Sequence, residues 1–334
     1  MASLDEVMII TEIGGNHEGD FDYARRLLQL AAGSGTDVVK FQIYSGETLV
    51  NRCEDPQRVA HFNRFALTTD QYLALARECD ELGVQFNASI WDASQIEIFD
   101  PFLRFYKVGS GDLTAYPLLQ EIARRRKPIV LSTGLATLEE VRQSVSFIRS
   151  LDSIYEERDM LAILQCTSMY PIPDRDANLN VMSTIREAFK CKVGYSDHTV
   201  GTYAAEIAVA LGAEILELHF TDKRDGRDFR DHQVSFTRED IKCLRERIEL
   251  ISELKGSFVK APTASEIESN HLISFRRAVY PARAIKAGER IARADLTVLR
   301  PCQGIPANEI EDLLGRRSLR DLNALERLSR SDFE

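Results

Sequence analysis

No stretch of the chain approaches the roughly 20 consecutive apolar residues that a membrane-spanning helix needs, which excludes a helical membrane protein. The N-terminal MASLDEVMIITE lacks positive charge and carries Asp5 and Glu6 instead, and its apolar run is too short for a secretory signal. Cysteine is sparse: Cys53, Cys79, Cys166, Cys191, Cys243 and Cys302 are scattered, with no CxxC and no dense framework. That usage excludes a disulfide scaffold and suits reduced thiols in a cytoplasmic protein, each expected to be buried and structural. Basic charge is also short, and a net charge of −10 argues against a nucleic-acid partner. An anionic small molecule stays open as a substrate if lysines converge locally. Only six histidines and one tryptophan occur, so each histidine at a telling position counts; Trp91 itself reads as packing or loop cover.

What is present is enough for two domains. A chain of 334 residues, 44% hydrophobic and 28% charged, buries a full core with material left over. Eight short β-rich runs alternate with helical patterns: VMIITEIG, DVVKFQIY, VQFNASI, RFYKVGS, PIVLSTG, AILQCTSMY, KVGYSDH and EILELHF. The segments between them show helix-period apolar spacing and caps. Asp20 precedes FDYARRLLQLAAGSG, Thr137 and Glu140 form a capping box, and Thr202 opens YAAEIAVAL, which stops at Gly212. Repeated strand-then-helix order implies parallel pairing, and eight units over about 250 residues fit a closed (β/α)8 TIM barrel, with an open doubly wound sheet as rival.

Polar residues gather at the C-terminal ends of these runs, which favours the barrel. They are Glu12, Asn16 and His17; Lys40 and Gln42; Asn87 and Ser89; Lys107 and Ser110; Ser132 and Thr133; Ser168 and Tyr170; Ser196 and His198; Glu217 and His219. In a barrel those ends converge on one mouth, where active sites sit. After the eighth run Thr237 caps a long helix ended by Gly256, and periodicity fades over SFVKAPTASEIESNHL. The remainder has short β-like pieces and one small helix between Pro306 and Gly315, and no short-period repeat is evident in either part. The expected organisation is a barrel over 1–257, a linker over 258–272 and a small domain over 273–334.

His198 and His219 end the seventh and eighth runs, which barrel closure puts side by side. Two neutral imidazoles at a polar mouth make a divalent-metal pair, the other positions being left to water and substrate; a lone histidine hydrogen-bonded in a loop is the plainer alternative. Glu12 and Asp112 are candidate ligands or bases, or solvated loop carboxylates. Lys40 and Lys107 each interrupt an apolar strand, and a lysine there is costly to bury unless paired. The partner is either an anionic ligand or an internal carboxylate such as Glu12 or Glu217. With Ser110, Ser168 and Ser196 on the same rim, the lysines suggest a cradle for carboxylate and phosphate. A Schiff-base lysine, as in a metal-free class I aldolase, is the competing chemistry. GSGD at 109–112 lacks the spacing of a dinucleotide fingerprint. His61 and His232 read as surface loop residues.

The stretches TEIGGNHEGD, DVVKFQIY, YKVGSGD, PIVLSTGLAT, QCTSMYPIP, GYSDHTVG and LELHFT, in this order, resemble the sialic acid synthase family over nearly the whole length. The C-terminal part is similar to the antifreeze-like, or SAF, domain of β-clip fold that follows the barrel there. The resemblance implies condensation of phosphoenolpyruvate with an acylamino sugar such as N-acetylmannosamine, with release of phosphate. It makes His198 and His219 ligands of Mn2+, or of Mg2+ or Co2+. Lys40, Lys107, Ser110 and Ser196 become phosphoenolpyruvate contacts, with Ser89 and Ser168 as helpers. Glu12 falls on an acid near metal and sugar, and Gln42, Tyr170 and Asp231 fall on sugar-side positions. Arg300 matches an arginine that one subunit's small domain inserts into its partner's barrel, so a domain-swapped homodimer is implied.

Departures from the family pattern concern the sugar end. Asp112 stands where Glu is common, one methylene shorter, and Ser168 stands where some members have Asn. The loop TDKRDGRDFRDHQVS lacks the usual Pro-Gly-Pro lead-in to Asp231-His232. These changes point to a different or modified hexose, as for legionaminic or pseudaminic acid synthases. Cys302 and Leu325 each replace a glycine in the small domain.

Overall fold

The computed structural model describes residues 7–334, so Asp5 and Glu6, read above for their charge, lie outside the described residues. Eight strands form one all-parallel sheet: β1 (Met8–Glu12), β2 (Val38–Ile43), β3 (Gln85–Ile90), β4 (Tyr106–Val108), β5 (Ile129–Ser132), β6 (Leu161–Cys166), β7 (Lys192–Asp197) and β8 (Ile215–His219). Their order is β3-β2-β1-β8-β7-β6-β5-β4, so β1 pairs with β8 and the sheet curls into a TIM-like near-barrel. The ladder is interrupted at one seam, where β3 and β4 lie side by side. There the Asn87 side chain donates to the Phe105 carbonyl at 2.9 Å and spans the gap.

Helices cover the outer face because the sequence supplies amphipathic segments with side-chain caps. Asp20 caps Phe21–Ala32 through the Tyr23 amide, and Thr137 and Thr237 open Leu138–Leu151 and Arg238–Lys255 with capping boxes. Between β2 and β3 an additional helix, Pro56–Phe65, starts on Pro56 with Asp55 as its cap. Among the described residues no helix is long and apolar enough to cross a membrane.

The core has two layers. Outside the sheet, residues such as Ile9, Val39, Phe41, Ile163 and Leu218 pack against the helices. Inside, Ile10, Val38, Phe105, Val130, Ala162, Leu164 and Ile215 make an apolar floor. Side chains on a strand alternate faces, so the next inward residue lies two positions further along. Ile10 is followed by Glu12, Val38 by Lys40, Phe105 by Lys107, Val130 by Ser132, Leu164 by Cys166 and Ile215 by Glu217. One pleat therefore separates a dry floor from a buried polar layer. On β7 the same face reads Gly194, Ser196 and then His198.

The chain divides into two compact units after Gly256. In the second unit, the stretch read as a linker carries two short helices, Ala264–Glu268 and His271–Ser274. Two antiparallel strands, β9 (Ala278–Pro281) and β10 (Leu296–Leu299), pack over a core that includes Val279, Ile291, Ile305, Leu322 and Leu328. The helix expected near Pro306 is 3₁₀, at Ala307–Leu313. No short-period repeat is visible in the sequence, yet the unit contains a long-period one. Arg283 donates Nε to Asp295 at 2.7 Å and also pairs with Glu289, while Arg320 donates Nε to Asp332 at 2.8 Å and pairs with Glu326. Asp295 and Asp332 each also accept a backbone amide, from Ala292 at 2.8 Å and Ser329 at 2.7 Å.

Gly194 is dictated by the floor. A β-carbon there would stand 2.2 Å from the Ile215 carbonyl oxygen and 2.6 Å from a Leu164 methyl. Gly194→Ala is expected to destabilise the protein by about 1–3 kcal/mol or more through overpacking, read as a lower urea midpoint at unchanged m-value. An unchanged midpoint would contradict this packing.

Candidate active site

A cavity of about 920 Å³ opens at the C-terminal ends of the strands. Glu12, Lys40, Gln42, Ser89, Lys107, Ser110, Asp112, Ser168, Tyr170, Ser196, His198, His219 and Asp231 all line it, so the structure brings together every candidate assigned to the barrel. Arg300 belongs to the second unit, where its guanidinium lies 5.3 Å from the centre of the Phe275 ring.

The polar layer is a linked set of charges. Glu217 reaches Lys40 with one oxygen at 3.4 Å and Lys107 with the other at 3.3 Å. Lys40 also pairs with Glu12 and donates to Ser89 at 3.2 Å. Lys107 donates to Ser132 at 2.7 Å and to the Val108 carbonyl at 2.9 Å. Both internal partners weighed for the lysines are thus engaged, and the ammonium groups still face the cavity. Burial lowers the Lys40 pKa to about 8 against the opposing pull of Glu217, and Lys107 lowers it further by repulsion. Burial also works against charge on Glu217, but Lys107 and Lys40 outweigh it and hold this carboxyl far below the usual range. Burial pushes Asp112, at the end of the Ser110–Asp112 turn, up to about 6 despite Lys107.

Above this layer the two histidines stand with ring centres 5.3 Å apart. His198 Nδ1 lies 2.8 Å from the Thr167 carbonyl, which orients the ring and leaves Nε2 for a ligand. His219 Nδ1 is buried without a hydrogen-bond partner, and burial lowers the pKa of this ring to about 4, so it is neutral near pH 7. Burial works against charge on His198, but Cys166 and the Thr167 carbonyl outweigh it and raise the pKa of this ring. An imidazole with an uncommitted nitrogen is the kind of ligand a divalent cation takes. Among the described residues no group of three or more His, Cys, Asp or Glu is arranged to hold a metal.

The Tyr170 ring lies 4.0 Å from His198 and edge-on to His219 at 5.5 Å, with the Arg230 guanidinium 4.3 Å from its centre. Arg230 in turn donates to Asp231 at 2.9 Å. The loop bearing these two residues is pinned from below. Asn16 donates to the Phe220 carbonyl at 2.9 Å and to Ser235 at 2.8 Å, and Arg227 grips Asp222 with two bonds of 2.9 Å.

Comparison with known proteins follows this geometry. Residues 27–260 match the NeuB family model, and residues 276–334 match the SAF domain. The chain belongs to the NeuB family. It is 33% identical over 331 residues to the N,N'-diacetyllegionaminic acid synthase of Legionella pneumophila, covering 95% of this chain and 91% of that protein. It is 31% identical over 325 residues to the N-acetylneuraminate-9-phosphate synthase of Homo sapiens, covering 93% and 88%. Among solved structures, the N-acetylneuraminic acid (sialic acid) synthetase of Leptospira borgpetersenii in complex with citrate aligns with a TM-score of 0.73 and 28% identity, over 79% of this chain and 90% of that one.

Several residues of this NeuB-family site escape sequence reasoning or contradict it. Glu217 reads in the sequence as a strand-end polar residue and one possible partner for a lysine, yet it joins both lysines. His232 is fully buried, not a surface residue, because Thr221 at 2.7 Å and Glu18 at 3.3 Å engage its two nitrogens. His61 is exposed but sits on Pro56–Phe65, with Arg58, Phe62 and Phe65 beside it along the cavity wall. Trp91 also lines the cavity, stacked on Tyr44 at 5.0 Å. Cys53 is exposed, while Cys166 is buried in the polar layer, its sulfur 3.9 Å from His198 Nδ1.

Gly134 sets the spacing of two rim hydroxyls. A β-carbon there would meet Ser168 Oγ at 2.3 Å and Ser110 Oγ at 2.9 Å. Gly134→Ala is expected to weaken oxyanion binding about tenfold, the order of one lost charge-assisted hydrogen bond, with little change in thermal midpoint. Calorimetry with inorganic phosphate checks this, and unchanged affinity would count against the cradle.

Proposed function

We propose that the chain condenses phosphoenolpyruvate with an acylamino hexose, N-acetylmannosamine or a relative, adding water and releasing phosphate to yield a nonulosonic acid. The observation that carries this reading is the histidine pair standing above two lysines joined by one carboxylate, in a chain whose relatives are named as synthases of such acids. His198 and His219 would hold the divalent ion, Mn2+ or failing that Mg2+ or Co2+. When bound, such an ion supplies Lewis-acid polarisation of the sugar's aldehyde oxygen.

The chain's own residues do the rest. Lys40 and Lys107, with the hydroxyls of Ser89, Ser110, Ser168 and Ser196, hold the phosphate and carboxylate so that the methylene carbon faces the aldehyde. Gln42, Tyr170 and Asp231 orient the sugar. The methylene carbon bonds to the aldehyde carbon, whose oxygen takes up a proton, and positive charge is left on the enol-ether carbon. Water adds there, giving its proton to Glu12, a buried carboxylate beside Lys40. The tetrahedral hydroxyl then passes its remaining proton to the departing phosphate as the C–O bond breaks, leaving the keto acid, and the proton taken by Glu12 balances the one gained by the aldehyde oxygen. This reading extends to a homodimer in which Arg300 of one subunit serves the acceptor end of the other. The Schiff-base alternative has less support, because the relatives are named as synthases of nonulosonic acids and both lysines are tied into ion pairs with Glu217.

Purified protein with phosphoenolpyruvate, Mn2+ and a panel of acylamino hexoses is expected to release phosphate, and silence with every acceptor would falsify the reading. His198→Ala and His219→Ala are each expected to lower turnover by more than about a hundredfold, beyond the usual cost of an outer-shell partner. Mn2+ affinity by calorimetry should fall with it, while the thermal midpoint moves little.

Lys40 also sets a pH limit. Its folded pKa is lowered to about 8, so it is charged below that value and loses its charge above it. The KM for phosphoenolpyruvate is expected to rise severalfold between pH 7 and 9. A KM that stays flat across that window would show that Lys40 does not hold the anion.

A further inference from the structure

The loop after β6 holds His198 at three points. Thr167 offers its carbonyl to Nδ1 at 2.8 Å, the Ile172 amide donates to the His198 carbonyl at 3.0 Å, and the Tyr170 and His198 ring centres lie 4.0 Å apart. A carbonyl only accepts, so Nδ1 carries a hydrogen and Nε2 is the nitrogen left to a cation. Cys166 Sγ is also near Nδ1, at 3.9 Å, but sulfur is the weaker acceptor and stands farther off. His219 has no such support, since its Nδ1 is buried without a partner.

The Thr167 carbonyl belongs to the backbone and survives any change of side chain there, so what matters is where it stands. Packing fixes it only weakly, because Ile172 is the one buried residue from Thr167 to Asp176. Hydrogen bonds close the loop instead. The Thr167 hydroxyl donates to the Asp176 carbonyl at 2.8 Å, next to a second rung in which Gln165 Nε2 donates to the Ala177 carbonyl at 3.2 Å. The Met169 amide adds a turn bond to the Thr167 carbonyl at 3.0 Å. A short surface loop with its ends drawn together in this way takes its position from its closing bonds. Neither Thr167 nor Asp176 lines the cavity, so neither touches what binds there.

We propose that Thr167 is a positioning residue for the divalent cation. Its hydroxyl clasps the loop to Asp176 and thereby keeps the Thr167 carbonyl at the place that fixes the His198 ring. Without the clasp the ring spends part of its time in orientations that do not present Nε2, and apparent affinity falls by the fraction of time lost, although no ligand has been removed. The inference rests on the reading of His198 and His219 as the cation's ligands. It adds a residue outside the cavity that sets how well one of them serves.

The test is calorimetry of the full chain, first stripped of metal, with Mn2+ as the probe. Thr167→Val keeps the branched shape and removes the donor, and is expected to weaken Mn2+ binding about fivefold, the effect of one neutral hydrogen bond, at nearly unchanged thermal midpoint. Thr167→Ser keeps the donor and should bind Mn2+ as the unchanged protein does. Affinity for inorganic phosphate, measured without Mn2+, should be the same in all three proteins. Equal Mn2+ affinity in Thr167→Val and the unchanged protein would overturn the clasp and leave the synthase reading standing, as would a Thr167→Ser variant as weak as Thr167→Val. A loss of phosphate affinity as large as the loss of Mn2+ affinity would assign the hydroxyl to the neighbouring Ser168 and also overturn it. An unchanged protein that takes up no divalent cation would overturn both the clasp and the cation site it serves.

Discussion

The Glu217 carboxylate, placed between Lys40 and Lys107, is the interaction on which the rest of the site depends. Two buried ammonium groups without a shared counter-charge would repel each other and shed protons. One carboxylate reaching both with separate oxygens offsets that repulsion and ties strands β2, β4 and β8 together. Such a buried cluster contributes little net stability, since desolvation consumes most of the Coulombic gain. What it supplies is a preorganised charge surface, with Lys40 held by Glu12 and Ser89 and Lys107 by Ser132.

Above that surface the geometry is governed by strand periodicity. Gly194, Ser196 and His198 rise along one face of β7 and its extension, as Ile215, Glu217 and His219 do along β8. Each strand therefore passes from floor to polar layer to imidazole in steps of two residues. The loop after β8 adds Arg230 and Asp231 above this column, and Arg227, Asp222 and the buried His232 hold it in place.

This ladder explains how much was legible beforehand. Polar residues ending apolar strands stand out in sequence, so Glu12, Lys40, Lys107, Ser196, His198 and His219 could be named from pattern alone. Residues reaching the cavity from outside the strand pattern could not. Arg58, His61 and Phe62 lie on the helix Pro56–Phe65, where a mixed polar and aromatic face looks like any solvated helix. His232 looked exposed because its burial comes from Thr221 and Glu18, the second of them 214 residues away. The paired Arg–Glu–Asp motifs of the second unit were hidden because only five widely spaced side chains besides Arg283 build the repeat: Glu289, Asp295, Arg320, Glu326 and Asp332.

The apolar floor has a kinetic consequence. Ile10, Val38, Phe105, Val130, Leu164 and Ile215 seal the lower end of the near-barrel, so ligands reach the lysine layer from the side of the strand C-termini. A molecule seated on Lys40 and Lys107 is then covered by whatever occupies the histidine level. Anything bound at the lysine layer must pass the histidine level both to arrive and to leave.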